Sequence, residues 1–162
     1  MKNYRGVILW TYIVEIVLAL VVYALILVLI GRENTVSTVY DHWVAISALG
    51  GVLLGVAIAA LLYYYQTVDS DFGKYLSWRK VDGVLRRIFQ LQTVLPFLTL
   101  CIPFIATFAK SKAIAHFIAL LFIYTCINGL TIIFNIGWVV RLKHKFVVGY
   151  DLIMNEKTDK LT

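Results

Sequence analysis

Residues 7–30 read VILWTYIVEIVLALVVYALILVLI, an apolar run whose one charged side chain is Glu15. An α-helix needs about 20 largely apolar residues to cross a hydrocarbon core roughly 30 Å thick. The run therefore predicts a membrane-spanning helix, and no small-residue cleavage site of a signal peptide follows it before Arg32. Four stretches meet this length, at about residues 7–30, 43–65, 88–109 and 113–140.

Composition supports the same fold class. Of the 162 residues, 61% are hydrophobic and 15% are charged, and the mean hydropathy is +0.85. A water-soluble domain of this length needs more polar surface. We therefore predict one all-α integral membrane domain with four transmembrane helices. Residues 31–42 form a loop in this prediction, residues 66–87 form a basic loop and residues 141–162 form a basic tail.

The basic residues predict the orientation of the bundle. Twelve of the 15 lie on the side that carries both termini and the middle loop. They are Lys2, Arg5, Lys74, Arg79, Lys80, Arg86, Arg87, Arg141, Lys143, Lys145, Lys157 and Lys160. The positive-inside rule then predicts cytoplasmic N and C termini in a multi-pass protein of the inner (plasma) membrane. Contact with anionic lipid head groups accounts for the net charge of +6, so we expect no direct binding of nucleic acid.

The middle loop mixes apolar and basic residues at roughly helical spacing. This pattern predicts one or two short interfacial helices, broken near Gly83. Such a loop either anchors the protein at the membrane surface or docks a cytosolic protein partner. From Arg141 the last helix can continue outward, and the tail beyond Tyr150 is expected to be mobile. The candidate residues for contact with a partner or with lipid are Lys74, Arg79, Lys80, Arg86, Arg87, Arg141, Lys143 and Lys145.

Small residues in the second span predict close helix packing. Ser47, Gly51, Gly55 and Ala59 follow one another at intervals of four residues. Lipid is as apolar as leucine, so spans associate through close backbone approach and polar contacts. The stripe serves either packing within one chain or contact between copies in a homo-oligomer.

Glu15 is a charge inside the first span, where an unpaired carboxylate costs on the order of 3 kcal/mol or more. We predict a buried polar layer of Glu15, Asn128 and Asn135 that also draws on polar groups of spans two and three. The layer either fixes packing or forms a proton or cation site. A first-span glutamate resembles the small multidrug resistance transporters, but the basic loop, the basic tail and the strong charge bias differ from that family.

Catalytic and cofactor motifs are absent from the sequence, which has no triad-like set, no P-loop and no HExxH motif. We therefore predict no enzyme activity, no catalytic residues, no metal site and no cofactor. Cys101 and Cys126 fall inside spans and form no metal-ligand spacing. A haem held by His42 and His116 is a weaker alternative, since His42 lies close to the water.

The overall plan of the chain can be compared with a known family. It comprises the opening MKNYRGVILW (residues 1–10), four spans, the loop FGKYLSWRKVDGVLRR (residues 72–87) and a short charged tail. This layout resembles the membrane subunit of the bacterial Kiwa anti-phage defence system. The resemblance implies a multimeric inner-membrane sensor of phage infection, partnered with a cytosolic DNA-binding effector, and assigns no catalytic residue.

Three functions are compatible with these features. They are a non-enzymatic membrane subunit that docks or regulates a cytosolic partner, a small transporter or channel that uses Glu15, and a membrane enzyme that acts on lipid. The sequence favours the first, because the basic and polar features concentrate on the predicted cytoplasmic side.

Overall fold

The computed structural model describes residues 4–68, 71–78, 82–109 and 111–159. Every residue in these ranges is helical except Gly31, His42 and Ser111, so the described chain contains no β-strand. Its helices are α1 (Tyr4–Ile30), α2 (Arg32–Asp41), α3 (Trp43–Val68), α4 (Asp71–Trp78), α5 (Asp82–Ala109) and α6 (Lys112–Asp159).

Four of these helices, α1, α3, α5 and α6, are long and apolar enough to cross a membrane. Their apolar windows are Tyr12–Ile30, Trp43–Thr67, Asp82–Ile105 and Lys112–Gly149. A helix satisfies its backbone hydrogen bonds internally, which lipid cannot do for it, so apolar segments of this length fold as helices. The predicted fold class, an all-α protein with four membrane-spanning helices, is confirmed.

The connection between α1 and α3 contains the short helix α2, where the sequence suggested a loop. Gly31 has a φ of 87°, a left-handed conformation that suits glycine and turns the chain from α1 into α2. Lys112 donates a hydrogen bond to Glu33 at 2.7 Å, which lowers the pKa of the Glu33 carboxyl. The Tyr40 hydroxyl donates to the Ser111 carbonyl at 2.9 Å. These two bonds tie α2 to the start of α6.

The middle connection contains α4, and α5 begins at Asp82. Gly83 therefore lies in the first turn of α5, so the helix is not broken at Gly83. We call α4, the start of α5 and the outgoing part of α6 the basic end of the bundle. Its exposed basic side chains include Lys74, Arg86, Arg87, Arg141 and Lys145.

The longest helix, α6, runs for 48 residues without interruption. At a rise of 1.5 Å per residue it is about 72 Å long, more than twice the thickness of a hydrocarbon core of roughly 30 Å. Its backbone is helical as far as Asp159, where a short tail was expected beyond Tyr150.

The helices pack around α6, which contacts α1, α2, α3 and α5. The most extensive contact in the bundle joins α3 to α5. By contrast, α1 packs mainly on α6, and 11% of its apolar window is buried in the chain against 39% of the α6 window. Most of the α1 surface is therefore free to face lipid or another protein.

The backbones of α3 and α5 approach each other closely at Gly50. A Cβ atom on Gly50 would lie 2.7 Å from the backbone nitrogen of Leu100 and 2.8 Å from the carbonyl carbon of Thr99. Real Cβ contacts are essentially never this short, so a side chain here requires the two backbones to move apart. Close approach of this kind is how spans associate in lipid, where no hydrophobic drive brings them together.

The predicted stripe of small residues lies beside this contact. A Cβ on Gly51 would meet the side chain of Leu100 at 3.6 Å, whereas one on Gly55 would meet nothing within 4 Å. Gly55 and Ala59 are exposed, and Ser47 is half-buried. Gly55 and Ala59 thus have no packing role within the described chain, and the use of the stripe between copies of the chain stays a prediction.

The glycines of α3 provide a matched pair for testing this geometry. We expect Gly50→Ala to lower the free energy of unfolding in micelles by about 1–3 kcal/mol, because it overpacks a backbone contact. Gly55→Ala should leave the stability of the monomer unchanged or slightly raised, since alanine favours helix. Denaturant titration followed by circular dichroism measures both, and equal stability of the two variants would contradict the close approach at Gly50.

Candidate functional site

Four polar side chains lie at the interface of α1 and α6. We call Tyr12, Glu15, Tyr124 and Asn128 the polar cluster. Glu15 is 5% exposed, and both of its carboxyl oxygens are buried without a hydrogen-bond partner. The Tyr12 hydroxyl and both polar atoms of the Asn128 amide are also buried without one. Tyr12 and Tyr124 are close enough to Glu15 to interact with it electrostatically.

The register of α1 against α6 explains why these residues meet. The Tyr23 ring packs edge-on against His116, with ring centroids 6.2 Å apart. The two helices are antiparallel. Glu15 precedes Tyr23 by eight residues and Tyr124 follows His116 by eight, so Glu15 and Tyr124 lie at the same level. Asn128 lies one turn further along the same face of α6, at the level of Tyr12.

The chemistry of the polar cluster follows from its burial. An ionised carboxylate in this position without a partner costs several kcal/mol. A hydrogen-bond donor or a cation at the carboxyl would offset this cost. The Tyr12 hydroxyl and the Asn128 amide are buried donors without an acceptor at about the same level of the interface, so they are the polar groups available to the carboxyl. Such an arrangement can accept and release a proton or hold a water molecule or a cation.

Asn135 does not join this cluster. It lies 11 residues beyond Tyr124 on α6, about 16 Å along the helix axis, and is half-buried. The register set by Tyr23 and His116 therefore leaves Asn135 at a different level from Glu15, closer to the basic end.

A hydrogen bond joins α5 to α6 beside the cluster. The hydroxyl oxygens of Thr99 and Thr125 lie 2.6 Å apart, and both residues are fully buried. Gln92, two turns earlier on α5, is 1% exposed, and its side-chain oxygen has no partner. Buried polar groups beside the cluster thus come from α5 as well as from α6.

The basic end is held together by apolar and polar packing. Phe72 and Leu76 of α4 are buried together with Val139 of α6. The ring of Phe72 lies 5.6 Å from that of Phe146, measured between centroids. The apolar face of α4, predicted to anchor in the membrane or to dock a partner, is therefore used inside the protein.

At the same end, Tyr64 joins α3 to the start of α5. Its hydroxyl contacts the Asp82 carboxylate and also lies 2.8 Å from the Asp82 carbonyl oxygen. Tyr64 is 1% exposed, and its ring packs on Phe89 at a centroid distance of 5.5 Å. This contact holds the start of α5 against α3.

The predicted docking residues are spread over the surface of the basic end. Lys74 pairs with Asp71 at 2.8 Å, which raises the pKa of the Lys74 amine and lowers that of the Asp71 carboxyl. The Arg86 guanidinium lies 5.9 Å from the centre of the Tyr65 ring. The other predicted residues are Arg87, Arg141 and Lys145, which are exposed, Lys143, which is half-buried, and Arg79 and Lys80, which lie outside the described residues.

The histidine and cysteine side chains lie apart from the polar cluster. Among the residues that the structure describes, no group of three or more His, Cys, Asp and Glu side chains could hold a metal ion. Cys101 and Cys126 are free and half-buried. His42 is exposed beside α2, and His116 packs on Tyr23.

Comparisons with protein-family models, with curated proteins and with solved structures found no match for this chain.

Two features of these sites were not predicted from the sequence, the place of Tyr12 beside Glu15 and the contact of Tyr64 with Asp82. Tyr12 was missed although it precedes Glu15 by three residues and so shares its helix face. The sequence did indicate Tyr124, because its spacing of four residues from Asn128 places both on one helix face. No local pattern indicated that Tyr64 would contact Asp82 across the middle connection.

Proposed function

We propose that the chain is a non-enzymatic subunit of an inner-membrane complex, which assembles with copies of itself and binds a cytosolic protein at its basic end. The observation that carries this proposal is the continuation of α6 past the predicted fourth span, from Arg141 to Asp159, which we call the arm. The exposed basic side chains at the base of the arm and the packing of α4 against it suit a docking surface.

The length of the arm takes it beyond the bilayer. A span needs about 20 residues, so α6 has crossed the hydrocarbon core well before its end. The 19 residues of the arm add about 28 Å of helix. At its base, the rings of Phe72 and Tyr75 pack on Phe146 with centroid distances of 5.6 and 5.2 Å. This packing holds the base of the arm in a fixed direction relative to the bundle.

The surface of the arm suits a protein partner with an acidic rim. Arg141 and Lys145 are exposed, and so are Val147 and Val148, each at 46%. With the fourth span ending near Val140, as the sequence predicts, these two valines are exposed apolar side chains outside the hydrocarbon core. Such side chains favour a contact site, and the neighbouring basic groups would steer an acidic partner to it. The positive-inside rule supports a cytoplasmic location for this surface.

Self-assembly has separate support in α3. Gly55 and Ala59 are exposed and leave a smooth strip on the side of the helix. Small residues allow the backbone of a second helix to approach closely in lipid. A contact of α3 with another copy of the chain would use this strip without disturbing the contact at Gly50.

The resemblance to the Kiwa membrane subunit supports a more specific form of the proposal. In this form the chain senses phage infection, and the cytosolic partner is a DNA-binding effector. Such a complex would protect the cell against phage. Phage should therefore form fewer plaques on a host that carries the chain with its neighbouring genes than on a host without them.

Charge neutralisation tests the docking surface. The variant carries Arg86→Gln, Arg87→Gln, Arg141→Gln and Lys145→Gln. We expect the cytosolic protein that co-purifies with the wild-type chain in mild detergent to be lost, because the basic surface no longer attracts it. Quantitative mass spectrometry of the purified material from the native host measures this loss.

The matched control for this experiment is a variant with Arg32→Gln and Lys112→Gln, which neutralises basic residues at the opposite end of the bundle. It should retain the partner. Equal recovery of the partner with both variants, or no enriched cytosolic protein with the wild type, would contradict the proposal.

A second function, a small proton- or cation-coupled transporter or channel, is favoured by one observation. Both oxygens of the buried Glu15 carboxyl lack partners, and Tyr12 and Asn128 offer unused polar groups nearby. A carboxyl in this state is suited to binding and releasing a proton or a cation within the span.

Flux into liposomes tests this second function. If the isolated chain conducts protons or cations, Glu15→Gln should abolish the flux, because glutamine keeps the volume and loses the acidic group. Asn135→Ala, a change on α6 away from the polar cluster, should leave it intact. Absence of flux with the wild type, or unchanged flux with Glu15→Gln, would rule out transport through Glu15.

A further inference from the structure

A groove of about 420 Å³ lies at the end of the bundle opposite the basic end. The last turns of α1, the first turns of α3, the helix α2 and the outer half of α6 line it. The side chains that form its apolar walls include Ile26, Ile30, Ala45, Leu49, Phe122 and Ile123.

The packing of the helices creates this groove. α1 packs mainly on α6, and α3 packs mainly on α5. A gap therefore remains between α1 and α3, with α6 at its back and α2 over its outer end. Thr38 and His42, both exposed, line that outer end. The groove is thus polar at its mouth and apolar along its depth.

Water does not suit this space. A buried water molecule needs two to four polar partners. The one buried polar side chain in the lining, Thr35, already donates its hydroxyl hydrogen to the Gly31 carbonyl at 2.8 Å. The volume lies within the range of ligand sites, about 300–1,000 Å³, which are mostly apolar with a few polar groups.

We infer that this groove binds the acyl chain of a phospholipid from the leaflet opposite the basic end. The apolar walls contact the chain, and the ester and head-group region lies at Thr38 and His42. Both the position of the groove between two spans and its polar mouth match the way a phospholipid is arranged in a bilayer. This inference is independent of docking at the basic end and of transport through Glu15.

The occupied groove would also stabilise the bundle. A bound chain contacts α1 and α3 together, and these two helices have little packing with each other. Any ligand that binds the folded state alone shifts the folding equilibrium toward it.

Photolabelling tests the site directly. The chain is reconstituted into vesicles of phosphatidylethanolamine and phosphatidylglycerol that contain a phosphatidylethanolamine with a diazirine in its acyl chain. After illumination, mass spectrometry locates the adducts. We expect adducts to concentrate at Leu49 and Phe122, above the level at Val17 and Val21, which are exposed on α1 outside the groove.

Two alanines of α3 give matched variants. Ala45→Phe fills the groove and should reduce labelling at Leu49 and Phe122 to the level of the exposed α1 face. Ala48 is exposed but does not line the groove, so Ala48→Phe should leave the labelling unchanged. If Ala45→Phe does not fold, Ile26→Trp fills the groove from the α1 side and takes its place.

Two results would overturn the inference. In the first, the wild-type groove is labelled no more than Val17 and Val21, which indicates bulk lipid alone. In the second, labelling of the groove persists in the filled variant that folds.

Discussion

The contact between α3 and α5 at Gly50 is the constraint on which the rest of the structure depends. In lipid, apolar surface gives little drive for helices to meet, so a bundle is held where backbones come close and where polar groups pair. At Gly50 the absence of a side chain lets the two backbones touch. This pair forms one side of the bundle, and α6 packs against both of its members.

The position of α6 then determines both candidate sites. One of its faces carries Thr125, which bonds to Thr99 of α5, and a neighbouring face carries Tyr124, which meets Glu15 of α1. Since α1 is attached mainly through α6, the burial of its carboxyl depends chiefly on that interface. The same attachment leaves α1 apart from α3, and the groove lies between these two helices. Beyond the spans, α6 continues as the arm, where Phe146 packs against Phe72 and Tyr75 of α4.

Hydropathy predicted the spans well because the bilayer imposes a length and a polarity that any crossing helix must meet. It also singled out Glu15, since a charge in an apolar run is visible without knowledge of the fold. The remaining features depend on how the helices are rotated and aligned. Gly50 and Gly51 are adjacent, and the four-residue spacing favoured Gly51, yet the rotation of α3 turns Gly50 toward α5. Asn135 was misplaced because the register of α1 on α6 cannot be obtained from the ends of the spans.

The two proposals for function make different demands on this architecture. Docking uses the surface of the basic end, whereas transport uses the interior around Glu15. They share one requirement, which is that the spans hold the arm and α4 on one side of the membrane. The central claim of the account is that this side is the cytoplasm.

Cysteine accessibility tests that claim most directly. In a background without Cys101 and Cys126, Lys145→Cys on the arm and Ser37→Cys on α2 are treated in cells with a maleimide that enters the periplasm and does not cross the inner membrane. The account predicts that Ser37→Cys is labelled in intact cells and Lys145→Cys only after the inner membrane is permeabilised. Labelling of Lys145→Cys in intact cells would contradict it.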